Sequence, residues 1–128
     1  MLEESATRQR DFNRCYKRVV KLHKQQGKMP SASILVNETI TGKAPSYYIT
    51  FNHARRLLSQ YRRNKLPKNF RKLRREMICE IAQKVDRIMQ MHQSFSESDA
   101  LAMVLSRSNA SRFFITPASA RRLIYNPN

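Results

Sequence analysis

An ungapped internal repeat constrains this chain more than any other feature of its sequence. Residues 47–58 align with residues 113–124 at an offset of 66. Six of the twelve pairs are identical: Ile49 with Ile115, Thr50 with Thr116, Ala54 with Ala120, Arg55 with Arg121, Arg56 with Arg122 and Leu57 with Leu123. Three more exchange aromatic for aromatic or aliphatic for aliphatic: Tyr47 with Phe113, Tyr48 with Phe114 and Leu58 with Ile124. The same offset also pairs Cys15 with Ile81, Arg18 with Lys84, Val19 with Val85, Leu22 with Ile88, Leu35 with Leu101 and Ala44 with Ala110. A shared period of this kind reads as duplication of one supersecondary unit. The expectation is a duplication of residues 10–58 onto 76–124 within a single domain over residues 1–128.

Each copy reads as helix, helix, extended stretch, helix. The first element, residues 5–26 and again 68–92, carries Phe12, Cys15, Val19 and Leu22, then Phe70, Leu73, Met77, Ile81, Val85 and Ile88. That spacing of three and four makes one apolar stripe on an amphipathic helix. Gly27 suits the left-handed residue that closes the first of these helices. A shorter helix follows Pro30-Ser31, anchored by Ile34, Leu35 and Ile40. Its counterpart follows Phe95-Ser96, anchored by Leu101, Val104 and Leu105. Ser96 and the acids Glu97 and Asp99 supply a cap and a first turn that favour helix initiation. The aromatic stretches at Tyr47-Tyr48-Ile49 and Phe113-Phe114-Ile115 favour extended backbone. A third helix then opens at Thr50 or Thr116, the latter with Pro117 at the first helical position. The fold expected is mainly α: two helix-helix-extended-helix units about an approximate internal dyad. Pairing of the aromatic stretches into a minimal two-stranded ribbon is one option, marginal unless helices cover it. Alternation along a strand turns one aromatic of each pair inward and the next outward.

Composition supports helices and removes several other classes. Two glycines in 128 residues, against a usual content of about 7%, disfavour phosphate-cradling loops, tight hairpins and most β architectures. Hydrophobic residues make up 41% of the chain, too many for a disordered basic tail. The longest apolar run is Ala100–Leu105, whereas a bilayer span needs about 20 residues. The first residues carry Glu3 and Glu4 where a signal peptide carries positive charge. A soluble protein of the cytoplasm, or of a phage particle, is the expectation. The two cysteines, Cys15 and Cys79, fall in helical apolar patterns and read as free packed thiols. With His23, His53 and His92 they never reach metal-ligand spacing. No cofactor or metal is expected.

Charge is the functional clue. The chain has 25 basic and 9 acidic residues, a formal charge of +16. Copy one contributes +8, copy two only +1, and the 17 residues 59–75 another +8 with no acid among them. On the third helix of copy one, Arg55 and Arg62 stack two turns apart, as do Arg56 and Arg63. Beyond Pro67, Lys68, Arg71, Lys72, Arg74 and Arg75 crowd the start of the next helix, where cations oppose the macrodipole. Neutralisation of phosphates by Lys and Arg dominates nucleic-acid affinity. The candidate contact residues are Arg55, Arg56, Arg62, Arg63, Lys65, Lys68, Arg71, Lys72, Arg74 and Arg75, with Arg121 and Arg122 as secondary candidates. An ordinary solvated face or an acidic protein partner accounts for a charge run as well. The repeated Ala-Arg-Arg-Leu is open to a structural reading too, in which an arginine stacks on an aromatic.

Other functions fit poorly. Two helices separated by about nine residues do not form a helix-turn-helix, which uses a turn of about three or four. No nucleophile, base and orienter assemble from local spacing, so no catalytic residue is assigned. Glu80 and Lys84, four apart, read as a helix salt bridge, as do Lys72 and Glu76.

At the aromatic-aromatic-Ile-Thr segment followed by Ala-Arg-Arg-Leu, the chain resembles short bacterial and phage-borne proteins of unassigned activity. The resemblance covers about a dozen residues in each copy. It implies a phage or mobile-element setting and carries over no site residue. The function expected is non-enzymatic nucleic-acid binding by electrostatic, largely sequence-tolerant phosphate contacts. The alternative is a structural or assembly protein, for example of a phage particle, docking an acidic partner or packaged genome. A homo-oligomer is compatible with either.

Overall fold

The computed structural model describes residues 2–125. Among these the chain forms six helices and no strand: α1 Leu2–Gln25, α2 Ala32–Thr41, α3 Phe51–Arg62, α4 Lys72–Met91, α5 Glu97–Arg107 and α6 Pro117–Tyr125. Four of them begin on a hydroxyl, each side-chain oxygen taking up one of the N–H groups that a helix start leaves unpaired. Ser31 accepts from the Ile34 N–H, Thr50 from His53 and Thr116 from Ser119. Ser96 and Asp99 form a full capping box, each side chain bonding the other's backbone N–H. Gly27 closes α1 at φ 74°, and the Lys28 N–H reaches back to the His23 carbonyl at 3.1 Å. Only glycine adopts that angle without steric cost.

The chain divides into two compact units, and the division does not follow chain order. Unit 1 is Met1–Tyr48 with Asn109–Asn128, and unit 2 is Ile49–Ser108. Helix α6 packs on α1 and α2, while α3 packs on α4 and α5. The third helix of each stretch of helix, helix, extended segment and helix thus belongs to the other stretch's pair. Between α2 and α3 lie nine residues, 42–50, with β-favouring aromatics and Pro45. Such a link reaches up to about 30 Å when extended, enough to carry a helix away from its sequence neighbours.

In unit 1 the two aromatic stretches lie side by side but do not form a ribbon. A single antiparallel bridge joins Ala44 and Ala110, with N–H···O distances of 3.0 and 2.9 Å. The expected pairing stops there because Tyr48 and Phe114 sit at φ 55° and 52°. This left-handed backbone interrupts an extended run and costs about 1–3 kcal/mol for a residue other than glycine. The aromatic rings interlock instead: Tyr47 stacks on Phe114 at 6.4 Å, and Tyr48 on Phe113 at 6.1 Å and 7°. Tyr47 and Phe113 are buried, Tyr48 and Phe114 half-buried.

The core of unit 1 is built from Phe12, Leu35, Val36, Ile40, Tyr47, Phe113 and Ile115 with Ala44, Ala110 and Ala120. That of unit 2 is Ala54, Leu57 and Leu58 from α3 against Met77, Ile78, Ile81, Val85, Leu101 and Val104. Two expected anchors do not hold: Leu22 is 52% exposed and Ile34 51%. Helix α1 has 24 residues against 10 and 9 in its partners α2 and α6. At 1.5 Å per residue it outruns them by about 20 Å, leaving the end of its stripe uncovered. Phe70 precedes α4 rather than opening its stripe.

One polar pair lies inside unit 1. The Tyr48 hydroxyl donates to Asp11 Oδ2 at 2.8 Å, and Asp11 is buried. Burial first, then the hydrogen bond to Asp11 and its charge, push the Tyr48 hydroxyl far above its usual range. The neutral phenol is therefore the form the fold requires. Its contribution is complete below the unfolded pKa of about 10 and is lost as pH rises beyond it. Tyr48→Phe is expected to cost about 1–3 kcal/mol, because a buried carboxylate loses its donor. Residues 66 positions on are Met77 and Phe114, so Asp11→Met with Tyr48→Phe removes both polar groups together and should recover most of that loss. Denaturant unfolding at pH 7 and pH 10.5 checks both points; a flat alkaline profile in the wild type, or an additive double mutant, contradicts the assignment.

Candidate functional site

All ten primary candidates fall in unit 2, on α3, on the turn after it and at the start of α4. Helix α3 buries Ala54, Leu57 and Leu58, and this register leaves Arg55 and Arg56 exposed. The helix stops at Arg62, and Asn64 just beyond it adopts φ 55°. Arg63 turns back, its Nε donating to the Ser59 carbonyl at 3.4 Å, a favourable place for a cation at a helix C-terminus. The turn is closed by the Lys65 N–H to the Gln60 carbonyl at 2.7 Å and the Phe70 N–H to Pro67 at 3.0 Å.

Two of the ten are committed to the fold. Arg62 Nη2 donates to Asp86 at 2.7 Å and its Nε to Glu97 at 2.5 Å, tying α3 to α4 and α5. Partial burial pulls this guanidinium's pKa down, but hydrogen bonds and charge from Asp86 and Glu97 outweigh it and hold the pKa above its ordinary value. Arg75 donates to the Pro67 carbonyl at 3.2 Å and lies over the Phe70 ring at 5.9 Å. Both arginines brace the turn.

Lys65, Lys68, Arg71, Lys72 and Arg74 are exposed, and none is paired with a carboxylate among the described residues. Arg71 occupies the N-cap of α4, makes no capping bond, and no acid lies in the first turn. The contrast with the acid-rich, fully capped start of α5 is complete. Positive charge thus gathers where the helix dipole repels it. Arg121 and Arg122 are exposed on α6, which belongs to unit 1. Glu80 pairs with Lys84 at 3.8 Å as its spacing predicts.

Counting charge by unit changes the picture that the repeats suggest. Unit 1 holds twelve basic and four acidic residues, unit 2 thirteen and five, so each carries +8. Unit 2 reaches that value because it contains residues 59–75, which carry +8 by themselves. Half of the unit 1 excess lies along α1, where cations are spread over the helix rather than gathered in a dense run. Arg10, Arg14, Lys17, Lys21 and Lys24 are all exposed, with Lys28 just past the helix end. Their spacing of four, three, four, three was present in the sequence, but a search for dense runs passes over it.

Among the described residues no cluster of metal-ligating side chains occurs, and no helix is long and apolar enough to cross a membrane. The chain matches no protein-family model, no curated protein and no solved structure.

Proposed function

We propose that this protein binds nucleic acid without catalysis, through phosphate contacts made by the turn between α3 and α4. The observation that carries the reading is the group Lys65, Lys68, Arg71, Lys72 and Arg74: five exposed cations within ten residues, none in an ion pair among the described residues even though Glu76 lies one turn after Lys72. Mutual repulsion and the α4 dipole both disfavour that arrangement in isolation. A polyanion relieves both. Arg55, Arg56 and Arg63 extend the same charged run along α3. Contacts of this kind position a phosphate backbone and read no bases, so the binding is tolerant of sequence.

Fluorescence anisotropy with labelled duplex DNA, single-stranded DNA and RNA between 50 and 200 mM NaCl tests this. Changing Lys65, Lys68, Arg71, Lys72 and Arg74 together to Gln should weaken binding on the order of a hundredfold. On duplex it should make the slope of log K against log salt shallower by about 4.5, at roughly 0.9 per phosphate contact. Arg62→Gln should leave that slope unchanged, because its guanidinium is held by Asp86 and Glu97. Affinity indifferent to salt, or unaltered in the five-residue variant, rules the reading out.

A further inference from the structure

We propose that α1 carries a second phosphate-binding surface, formed by Arg10, Arg14, Lys17, Lys21 and Lys24, so that each compact unit engages nucleic acid with its own basic face. This rests on the proposed function for the identity of the ligand, and concerns a different unit and different residues.

At 100° per residue, these five positions fall within an arc of about 80° and extend about 21 Å along the axis. Phe12, buried, and Val19, half-buried, project from the opposite side of α1. The register that docks α1 on its unit therefore turns all five cations outward. Every one is exposed, and Lys28 continues the line beyond Gln25, held to the helix end by its N–H bond to His23.

Asp11 follows Arg10 directly but is buried and accepts from Tyr48, and it approaches Arg10 Nε only at 3.9 Å. No acid occurs between Arg14 and Lys28. A face kept merely soluble mixes both signs, since Glu placed four residues before Lys stabilises a helix by about 0.2–0.5 kcal/mol and like charges at that spacing cost as much. Here Arg10 and Arg14, Arg14 and Arg18, and Lys17 and Lys21 are all like pairs four apart. A duplex presents about one negative charge per 1.7 Å of axis, so a 21 Å line of cations finds phosphates along its whole length.

An anionic membrane is the rival acceptor. Binding in a membrane interface needs an apolar face beside the charged one. The exposed apolar residues near α1, Leu22, Met29 and Ile34, lie only at its C-terminal end and beyond, not along the stripe. Nucleic acid is therefore the ligand the stripe fits.

Arg14→Gln/Lys17→Gln/Lys21→Gln/Lys24→Gln in the full chain tests the proposal, Gln being a good helix former. Circular dichroism and the melting temperature verify the fold. Anisotropy on a labelled duplex of about 20 base pairs should show at least about tenfold weaker binding at about 100 mM NaCl and a salt slope shallower by about 3.6. If this variant binds duplex like the wild type while the five-residue variant in the α3–α4 turn does not, the second surface is overturned and the proposed function stands. If the wild type itself fails to bind, both fall. If the α1 variant keeps its affinity for duplex but loses binding to vesicles containing 30% phosphatidylserine, the stripe is a membrane surface and the proposal is wrong.

Discussion

Phe12→Ala is expected to lower the unfolding free energy by about 3–5 kcal/mol, the range for truncating a buried Phe. Phe12 is fully buried, meets Phe113 edge-on at 5.2 Å and stacks near Tyr16 at 6.5 Å. The position matters because of what surrounds it. Among the described side chains of α1, Phe12 is the one apolar residue in the buried core, whereas α4 contributes Met77, Ile78, Ile81, Ala82 and Val85. Truncation of any one α4 side chain leaves four others to hold that helix. Truncation of Phe12 leaves α1 with the half-buried Cys15, Tyr16, Val19 and Val20, the hydrogen bond from Tyr48 to Asp11, and hydrogen bonds from Gln9 and Asn13 to the Leu123 carbonyl at 3.3 and 3.1 Å. The last two bonds satisfy an acceptor at the end of α6 but bury little area. Denaturant titration followed by circular dichroism measures the loss. A cost below about 1 kcal/mol would mean that α1 is docked by something other than its aromatic anchor.

The helices were legible in the sequence because their signals are local. Ser31, Thr50, Ser96 and Thr116 each act on a backbone N–H three residues away, and such a cap can be read from a window of a few residues. Gly27 is likewise local. The partner of each third helix is not. Ala54, Leu57 and Leu58 on α3 and Ala120, Leu123 and Ile124 on α6 present nearly the same apolar face. Either helix suits either pair, and no periodicity encodes which pair it joins. Positive φ at Tyr48 and Phe114 is hidden for a related reason: aromatic residues rarely adopt it, so composition argues for a strand.

The candidate site divides in the same way. That a cation sits between residues 55 and 75 is evident from the sequence, but whether its charge is available depends on residues far along the chain. Arg62 meets Asp86 and Glu97, 24 and 35 positions away, so its charge is already paired. Lys65 and Lys68 meet no acid among the described residues. Along α1 the information was local, yet it is periodic: cations at steps of four and three show as a face only once the helix is wound.

Cutting the chain between α3 and α4 should leave its two halves bound to each other. A specific protease site inserted between the exposed Lys68 and Asn69 separates α1, α2 and α3 from α4, α5 and α6. In both units, however, helices from both halves pack together: α6 on α1 and α2, α3 on α4 and α5. Each half therefore lacks a cover for its own apolar faces, and the cut protein should elute from a sizing column at the mass of the whole chain. Arg62 makes the expectation specific, because it lies in the first half while Asp86 and Glu97 lie in the second. Partly exposed ion pairs contribute about 1 kcal/mol or less each, so Arg62→Glu should weaken association of the cut halves on the order of tenfold. Adding Asp86→Arg and Glu97→Arg should restore it, since attraction then replaces repulsion at the same contacts. Halves that separate under native conditions, or a charge reversal without effect on their association, would place α3 against its own sequence neighbours instead.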